Sequence, residues 1–342
     1  MQGETKLLNN SNTMRTTIYA ILAAMLLVAC GTDKRHFAID GRLLNLNQGE
    51  FYVYSPDADI TKVDTIKVQA GRFSYITECD RPMTLMIVFP NFTEQPVFAE
   101  PGKEVDIKGD ASHLKELTVK GTKANEQMNE FREQILSVSP PEAKRLARQF
   151  VEDHPKSIVG QYLVRKYFLQ DAQPDYGVAL QLIKTMLAQQ PENAYLQRLK
   201  ERVLACTTLN AGMPVPAFST HDINGTPFSN SALSGNGAAV IVAWASWSYS
   251  SINMLRSAVQ AAGENVKVIG LCLDPDVATC RTTLDKENID GATIVCDGKM
   301  VDGVMYNRLG MYSVPDNIII KSGRVVAKGL SANDFVTRIK SL

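Results

Sequence analysis

The run Ala238-Ala239-Val240-Ile241-Val242-Ala243 is apolar at every position. Such continuity marks a strand covered on both faces, as in a sheet flanked by crossover helices. The sequence around it agrees. From Gly212 onward β-like and α-like segments alternate, which predicts an α/β domain containing parallel strands. A hairpin turning at Asn224-Gly225 precedes the buried run. Downstream, Val266 to Asp274 reads as a parallel strand, Val277 to Glu287 as a crossover helix and Ala292 to Asp297 as a further strand. Asn317 to Ile320, Val325-Val326 and a last helix from Asn333 complete a domain spanning residues 210–342.

The buried run leads into Trp244-Ala245-Ser246-Trp247-Ser248-Tyr249-Ser250-Ser251. At this point the chain resembles the TlpA-type, redoxin-related family of thioredoxin-like proteins, in which a strand ends in W-A-[ST]-W-C-x-x-C. Trp244, Ala245, Ser246 and Trp247 match that motif, and the two cysteines fall on Ser248 and Ser251. The resemblance implies a thioredoxin-like fold, a cis-proline at Val314-Pro315, and a backbone beside that proline which pairs with an extended peptide. Trp247, Ser248, Ser251, Val314 and Pro315 therefore form a degenerate redox site.

In the active family the first cysteine is ionised at a helix N-terminus, and exchange proceeds only through that thiolate. A serine oxygen supplies neither the thiolate nor the mixed disulfide. A hydrolytic serine would need a base in reach, and the domain's one histidine, His221, lies on the hairpin. The expected role of Ser248, Ser250 or Ser251 is a helix N-cap, worth about 1 kcal/mol. The following turn also departs from the family: Tyr249-Ser250 replaces Gly-Pro, and Ile252, Met254 and Arg256 stand where a basic residue, an acidic residue and a proline are usual.

The N-terminus sets the compartment. From Met14, MRTTIYAILAAMLLVACG has one positive residue, an apolar run from Ile18 to Val28 and small residues before a cysteine. The run is shorter than the ~20 residues a spanning helix needs, so residues 1–30 read as an export signal. Leu27-Val28-Ala29-Cys30-Gly31 resembles the lipobox of bacterial lipoproteins, which implies lipidation of Cys30, attachment to a bacterial membrane and a place in the cell envelope, on the periplasmic face or in the outer membrane. Met14 is a candidate start.

Lys plus Arg number 36 and Asp plus Glu number 36, with no basic block, so a nucleic-acid partner is not expected. No cofactor or metal ligand set is recognisable. Beyond Cys30, Cys79, Cys206, Cys272, Cys280 and Cys296 form no C-x-x-C pair. They read as core residues, with a Cys272–Cys296 pairing as the alternative and Cys272, Cys280 and Cys296 as candidate redox thiols.

Between the signal and the α/β domain lie two further segments. Residues 36–121 carry short β runs punctuated by glycines, including Phe51-Tyr52-Val53-Tyr54 and Leu85-Met86-Ile87-Val88-Phe89, which predicts a small all-β sandwich. Val63-Asp64-Thr65, Gly71-Arg72-Phe73 and Glu100-Pro101-Gly102 resemble the β-rich domain of unknown function that precedes thioredoxin domains in Gram-negative lipoproteins. Residues 122–207 read as amphipathic helices marked by prolines, with Leu182, Ile183, Met186 and Leu187 on one face and Leu196, Leu199 and Val203 on another. A helical connector is expected.

Taken together, these features lead to the expectation of an envelope lipoprotein with a redox-inactive thioredoxin-like domain that binds a protein or peptide or serves as a scaffold. The enzyme alternative is a thiol-disulfide oxidoreductase using Cys272, Cys280 or Cys296. A third reading gives the binding role, for glycan or peptide, to the β-domain.

Overall fold

Alternation of inward apolar and outward residues marks most N-terminal strands, while the strands Met83–Val88 and Glu94–Ala99 are buried almost throughout. In β1 (His36–Leu44), Phe37, Ile39 and Leu43 are buried while Asp40 and Leu44 face out. The computed structural model describes residues 34–57, 63–171 and 174–342. The export segment and Cys30 lie outside the described residues. The chain divides into two compact units, residues 1–143 with 157–162 and residues 144–156 with 163–342.

In the first unit β1 is followed by β2 (Gln48–Tyr54), β3 (Asp64–Gln69), β4 (Arg72–Glu78), β5 (Met83–Val88), β6 (Glu94–Ala99), β7 (Glu104–Asp110) and β8 (Thr118–Lys120). They form one eight-stranded sheet in the order β6-β5-β2-β3-β4-β1-β7-β8. All pairings are antiparallel except β1 with β7. A single residue pair, Gln69 with Arg72, joins β3 to β4, so the sheet is two four-stranded halves hinged at one tight turn. One apolar cluster takes residues from all eight strands, from Phe37 and Phe51 to Val97, Ile107 and Val119. The expected sandwich layers are thus one folded sheet with a shared core. At Gly41 the ring of its cross-strand partner Phe73 lies where a Cβ would project, so only glycine fits beneath that ring.

A long helix follows, α1 (Lys123–Ile135), capped by the Thr122 hydroxyl, which accepts the Asn125 N–H. Its two buried-side amides serve the sheet. The Asn125 side chain accepts from Phe98 N at 2.9 Å and donates to Phe98 O at 2.8 Å, on edge strand β6. One helical turn on, Asn129 accepts from Val119 N at 3.1 Å and donates to Val119 O at 2.7 Å, on the opposite edge strand β8. Edge strands carry unpaired backbone groups, and here one helix occupies both.

Next come α2 (Pro140–Asp153), which has residues in both units, and α3 (Ile158–Val164), which continues into a π-helical turn at Arg165–Leu169. In the second unit α4 (Tyr176–Gln189) is capped by Asp175 and α5 (Ala194–Thr208) by Asn193. Leu182, Ile183 and Met186 are buried on α4, and Leu196, Leu199 and Val203 on α5, on the faces their spacing marks. Both helices belong to the compact unit that holds the parallel strands. No helix among the described residues is long and apolar enough to cross a membrane.

The hairpin β9 (Ser219–His221) and β10 (Pro227–Ser229) turns where Asp222 Oδ1 accepts the N–H groups of Asn224 and Thr226. Then follow β11 (Ala238–Trp244), α6 (Tyr249–Ala261), β12 (Val266–Cys272), α7 (Val277–Glu287), β13 (Thr293–Val295), α8 (Val304–Arg308), β14 (Asp316–Lys321), β15 (Arg324–Lys328) and α9 (Ala332–Lys340). The sheet order is β13-β12-β11-β14-β15. β11, β12 and β13 are parallel, while β14 and β15 run antiparallel. All seven residues of β11 are buried. Ala239, Ile241 and Ala243 enter one core with Phe218, Tyr306 and Leu309, and Val240, Val242 and Trp244 enter another with Leu255, Ala258 and Phe335.

Each buried backbone group that loses its partner costs about 1–3 kcal/mol. We therefore expect Asn125→Ala to destabilise the first unit by at least that amount through the N–H and C=O of Phe98, read as a lower urea midpoint with an unchanged transition slope. Substitution of the exposed Gln134 on the same helix should leave the midpoint unmoved.

Candidate functional site

The polarity of β11 decides where the site stands. Its C-terminal end opens onto the N-terminus of α6, and the register pairing Ala243 with Asp316 sets Pro315 alongside Trp244. The Val314–Pro315 peptide is cis. Trp244 is fully buried, whereas Trp247 is 62% exposed and Tyr249 is 70% exposed. Of the two tryptophans, Trp247 is therefore the one that faces solvent at the junction.

Ser248 begins α6, and its carbonyl accepts the N–H groups of Ser251 and Ile252 at 3.0 and 3.1 Å. Its hydroxyl caps no backbone N–H and meets only the Ser250 hydroxyl, at 3.4 Å. The expected side-chain cap is thus absent at Ser248, because the hydroxyl turns toward its neighbour instead of back onto the helix. Ser251 has a different role. It is fully buried, donates to Ser248 O at 2.7 Å and accepts from Ala245 N at 3.1 Å. This hydroxyl staples the loop to the first helical turn. His221, on β9, is exposed and takes no part in the Ser248 contacts.

The residues of the next turn are built into the packing. Ile252 and Met254 are buried against the Trp244 face, and Met254 Sδ accepts from Asn317 Nδ2 at 3.6 Å. Arg256 forms an ion pair with Glu287 of α7 at 2.6 Å. Around Pro315, Asp316 accepts from Tyr312 N at 3.0 Å, and burial raises its carboxyl above the ordinary value. Among the described residues no hydrogen bond engages the N–H or C=O of Val314.

The structure also gathers three cysteines. Cys272 closes β12, Cys280 lies in the first turn of α7 and Cys296 directly follows β13; their sulfurs all lie within 4.8 Å of one another. All three are buried free thiols. Neighbouring strands β12 and β13 bring Cys272 and Cys296 together as expected, but as members of a triangle of free thiols and not as a disulfide. Cys79 and Cys206 are buried elsewhere, and burial pushes the Cys206 thiol up to about 11.

Asp274 completes the cluster. It is fully buried, its Oδ2 accepts from Cys272 Sγ at 3.3 Å, and its backbone carbonyl meets Cys296 Sγ at 3.7 Å. Its Oδ1 accepts from both the N–H and the hydroxyl of Ser246, at 3.0 and 2.9 Å. The sequence motif includes Ser246 but does not reveal its bond to Asp274, which no motif marks. The one available signal was a carboxylate placed directly after an apolar strand.

Hydrogen bonds with Cys280 and Cys296 hold Cys272 far above the usual thiol range. Cys280 is favoured by its bond with Cys272, but the bond with Cys296 and burial outweigh it and leave it at about 12. Cys296 receives the bonds from Cys272 and Cys280 and drops well below its ordinary value.

The sheet order, the strand-to-helix junction and the cis-proline opening an adjacent antiparallel strand define the C-terminal part as thioredoxin-like. Comparison with solved structures finds the following similar chains. The C-terminal domain of a protein described as a thiol-disulfide oxidoreductase from Bacteroides thetaiotaomicron is 24% identical, covering 39% of this chain and 95% of its own, with a TM-score of 0.35. A thiol-disulfide oxidoreductase from Bacteroides fragilis is 21% identical over 38% of this chain and 98% of its own, at a TM-score of 0.34. A secreted disulfide oxidoreductase from Mycobacterium tuberculosis is 22% identical over 36% of this chain and 96% of its own, at 0.31. Residues 37–128 match a family model described as a domain of unknown function, DUF4369. Comparison with curated proteins gives no match.

Removing the Ser251 hydroxyl leaves the Ala245 N–H and the Ser248 carbonyl without this partner in a buried site. We expect Ser251→Ala to cost about 1–3 kcal/mol in chemical denaturation, and Ser248→Ala to cost less because its hydroxyl holds no backbone group.

Proposed function

We propose that this protein is an exported, lipid-anchored envelope protein whose thioredoxin-like domain performs no thiol–disulfide exchange at the usual position and acts as a binding or scaffolding module. One observation carries the reading. The strand-to-helix junction, which in a redox thioredoxin presents a thiolate, presents Ser248 and Ser251, and the second hydroxyl is spent on the backbone. Exchange requires a sulfur that can form a mixed disulfide, and no atom of that kind stands there.

What remains at the junction suits recognition. Trp247 and Tyr249 offer exposed aromatic surface, and large aromatic side chains dominate contact energies where they become buried. Val314 supplies backbone groups for an extended partner strand. A peptide or protein segment is the ligand class this surface fits. The β-rich segment 36–121 and the helices of 122–207 would then act as spacer and connector between Cys30 and this surface.

The enzyme reading would need the buried cysteines to exchange electrons. Cys280 is inaccessible and Cys272 nearly so, at 0% and 1% exposure, which keeps a substrate disulfide from reaching either sulfur.

Two experiments test the proposal. Insulin reduction with dithiothreitol should show no turnover above the uncatalysed rate; turnover that disappears in Cys272→Ala, Cys280→Ala or Cys296→Ala would return the protein to the oxidoreductases. Cys30→Ser should move the protein from the membrane to the soluble fraction and abolish labelling by a radioactive fatty acid. Unchanged membrane recovery of that variant would refute the anchor.

A further inference from the structure

We propose that Cys272, Cys280 and Cys296, oriented by Asp274, form a buried binding site for a thiophilic divalent cation, Zn2+ in the first instance. Three separate elements, the end of β12, the first turn of α7 and the segment after β13, deliver one sulfur each to a single point. Two sulfurs bound to one tetrahedral zinc, at about 2.3 Å each, lie about 3.8 Å apart. The triangle, with every separation within 4.8 Å, needs to contract by an ångström or less to meet that requirement.

Asp274 supports the triangle from outside the three-sulfur group. Its Oδ2 accepts from Cys272 Sγ at 3.3 Å, and its other oxygen is fixed by the Ser246 N–H and hydroxyl. Such outer contacts orient a ligand before the metal arrives.

The surroundings select the ion. Thiolate sulfur favours soft cations and leaves Mg2+ and Ca2+ to oxygen sites. The walls are apolar, with Trp244, Val277 and Ile294 in the same cluster, and no ligand is more than 6% exposed, which describes a structural site out of a substrate's reach. On binding, the remaining S–H bonds break, the protons pass to solvent and zinc–sulfur bonds replace them, with no change in oxidation state. The first turn of α7 at Cys280 offsets part of the negative charge.

The test uses the full chain in detergent, reduced, stripped with a chelator and titrated with Zn2+ or Co2+ alone. We expect one ion per chain. The Co2+ form should show sulfur-to-cobalt charge-transfer absorption and the strong visible bands of a tetrahedral site, a readout that needs no variant. Cys280→Ala should weaken binding at least 100-fold, Cys206→Ala, which removes a buried cysteine outside the cluster, should leave it unchanged, and Asp274→Asn should lower affinity about 10–100-fold. Circular dichroism verifies that each variant is folded.

Absence of stoichiometric uptake by the reduced parent chain, or a cobalt complex without thiolate charge transfer, overturns the proposal. So does a folded Cys280→Ala chain that binds as tightly as the parent. Loss of insulin inactivity would not bear on it, because metal uptake and disulfide turnover are separate readouts.

Discussion

Burial of the Ala238–Trp244 strand on both faces is the constraint from which the second unit is built. Because no side chain of this strand reaches solvent, both layers must cover it, α6 and α9 on the Trp244 side and the Phe218–Tyr306 cluster on the other. The strand's direction then fixes a single exit, where the chain must turn abruptly into α6. Ser251 makes that turn possible by supplying a partner to the backbone on both sides of it. The Ser251 hydroxyl thus serves as a local fastening.

Two chemistries sit within a few residues of each other and are separated by one layer of packing. Above the strand ends, the polar surface carries hydroxyls and exposed rings. Below them, Asp274 ties the loop through Ser246 to the buried thiols. The thiols of Cys272, Cys280 and Cys296 lie inside, none more than 6% exposed. Reactivity of a thiol follows access as much as ionisation, so the low ionisation point at Cys296 does not by itself make it a redox centre.

Much of this was legible in the sequence, and the remainder was hidden for physical reasons. The apolar run, the Asn224-Gly225 turn and the serine pair are local patterns, and each appears where its spacing puts it. Folding of the β-strands into one continuous sheet was not legible, since it depends on the parallel pairing of β1 with β7 and on one Gln69–Arg72 contact. The cysteine triangle has the spacing C-x7-C-x15-C, which matches no linear metal motif, because its members converge only after three elements have packed. Asn125 and Asn129 look like an ordinary polar stripe on an amphipathic helix; only the sheet edges reveal what they hold.

That pair of asparagines turns a ribbon into a loop. A helix that clasps the first and last borders of a sheet removes the places from which strands usually peel, so opening of this unit has to start with the helix. Amide protons of β6 and β8, which in an open sheet would exchange first, share the fate of α1 and exchange with it as one cooperative block. The same clasp denies foreign chains a template at either border.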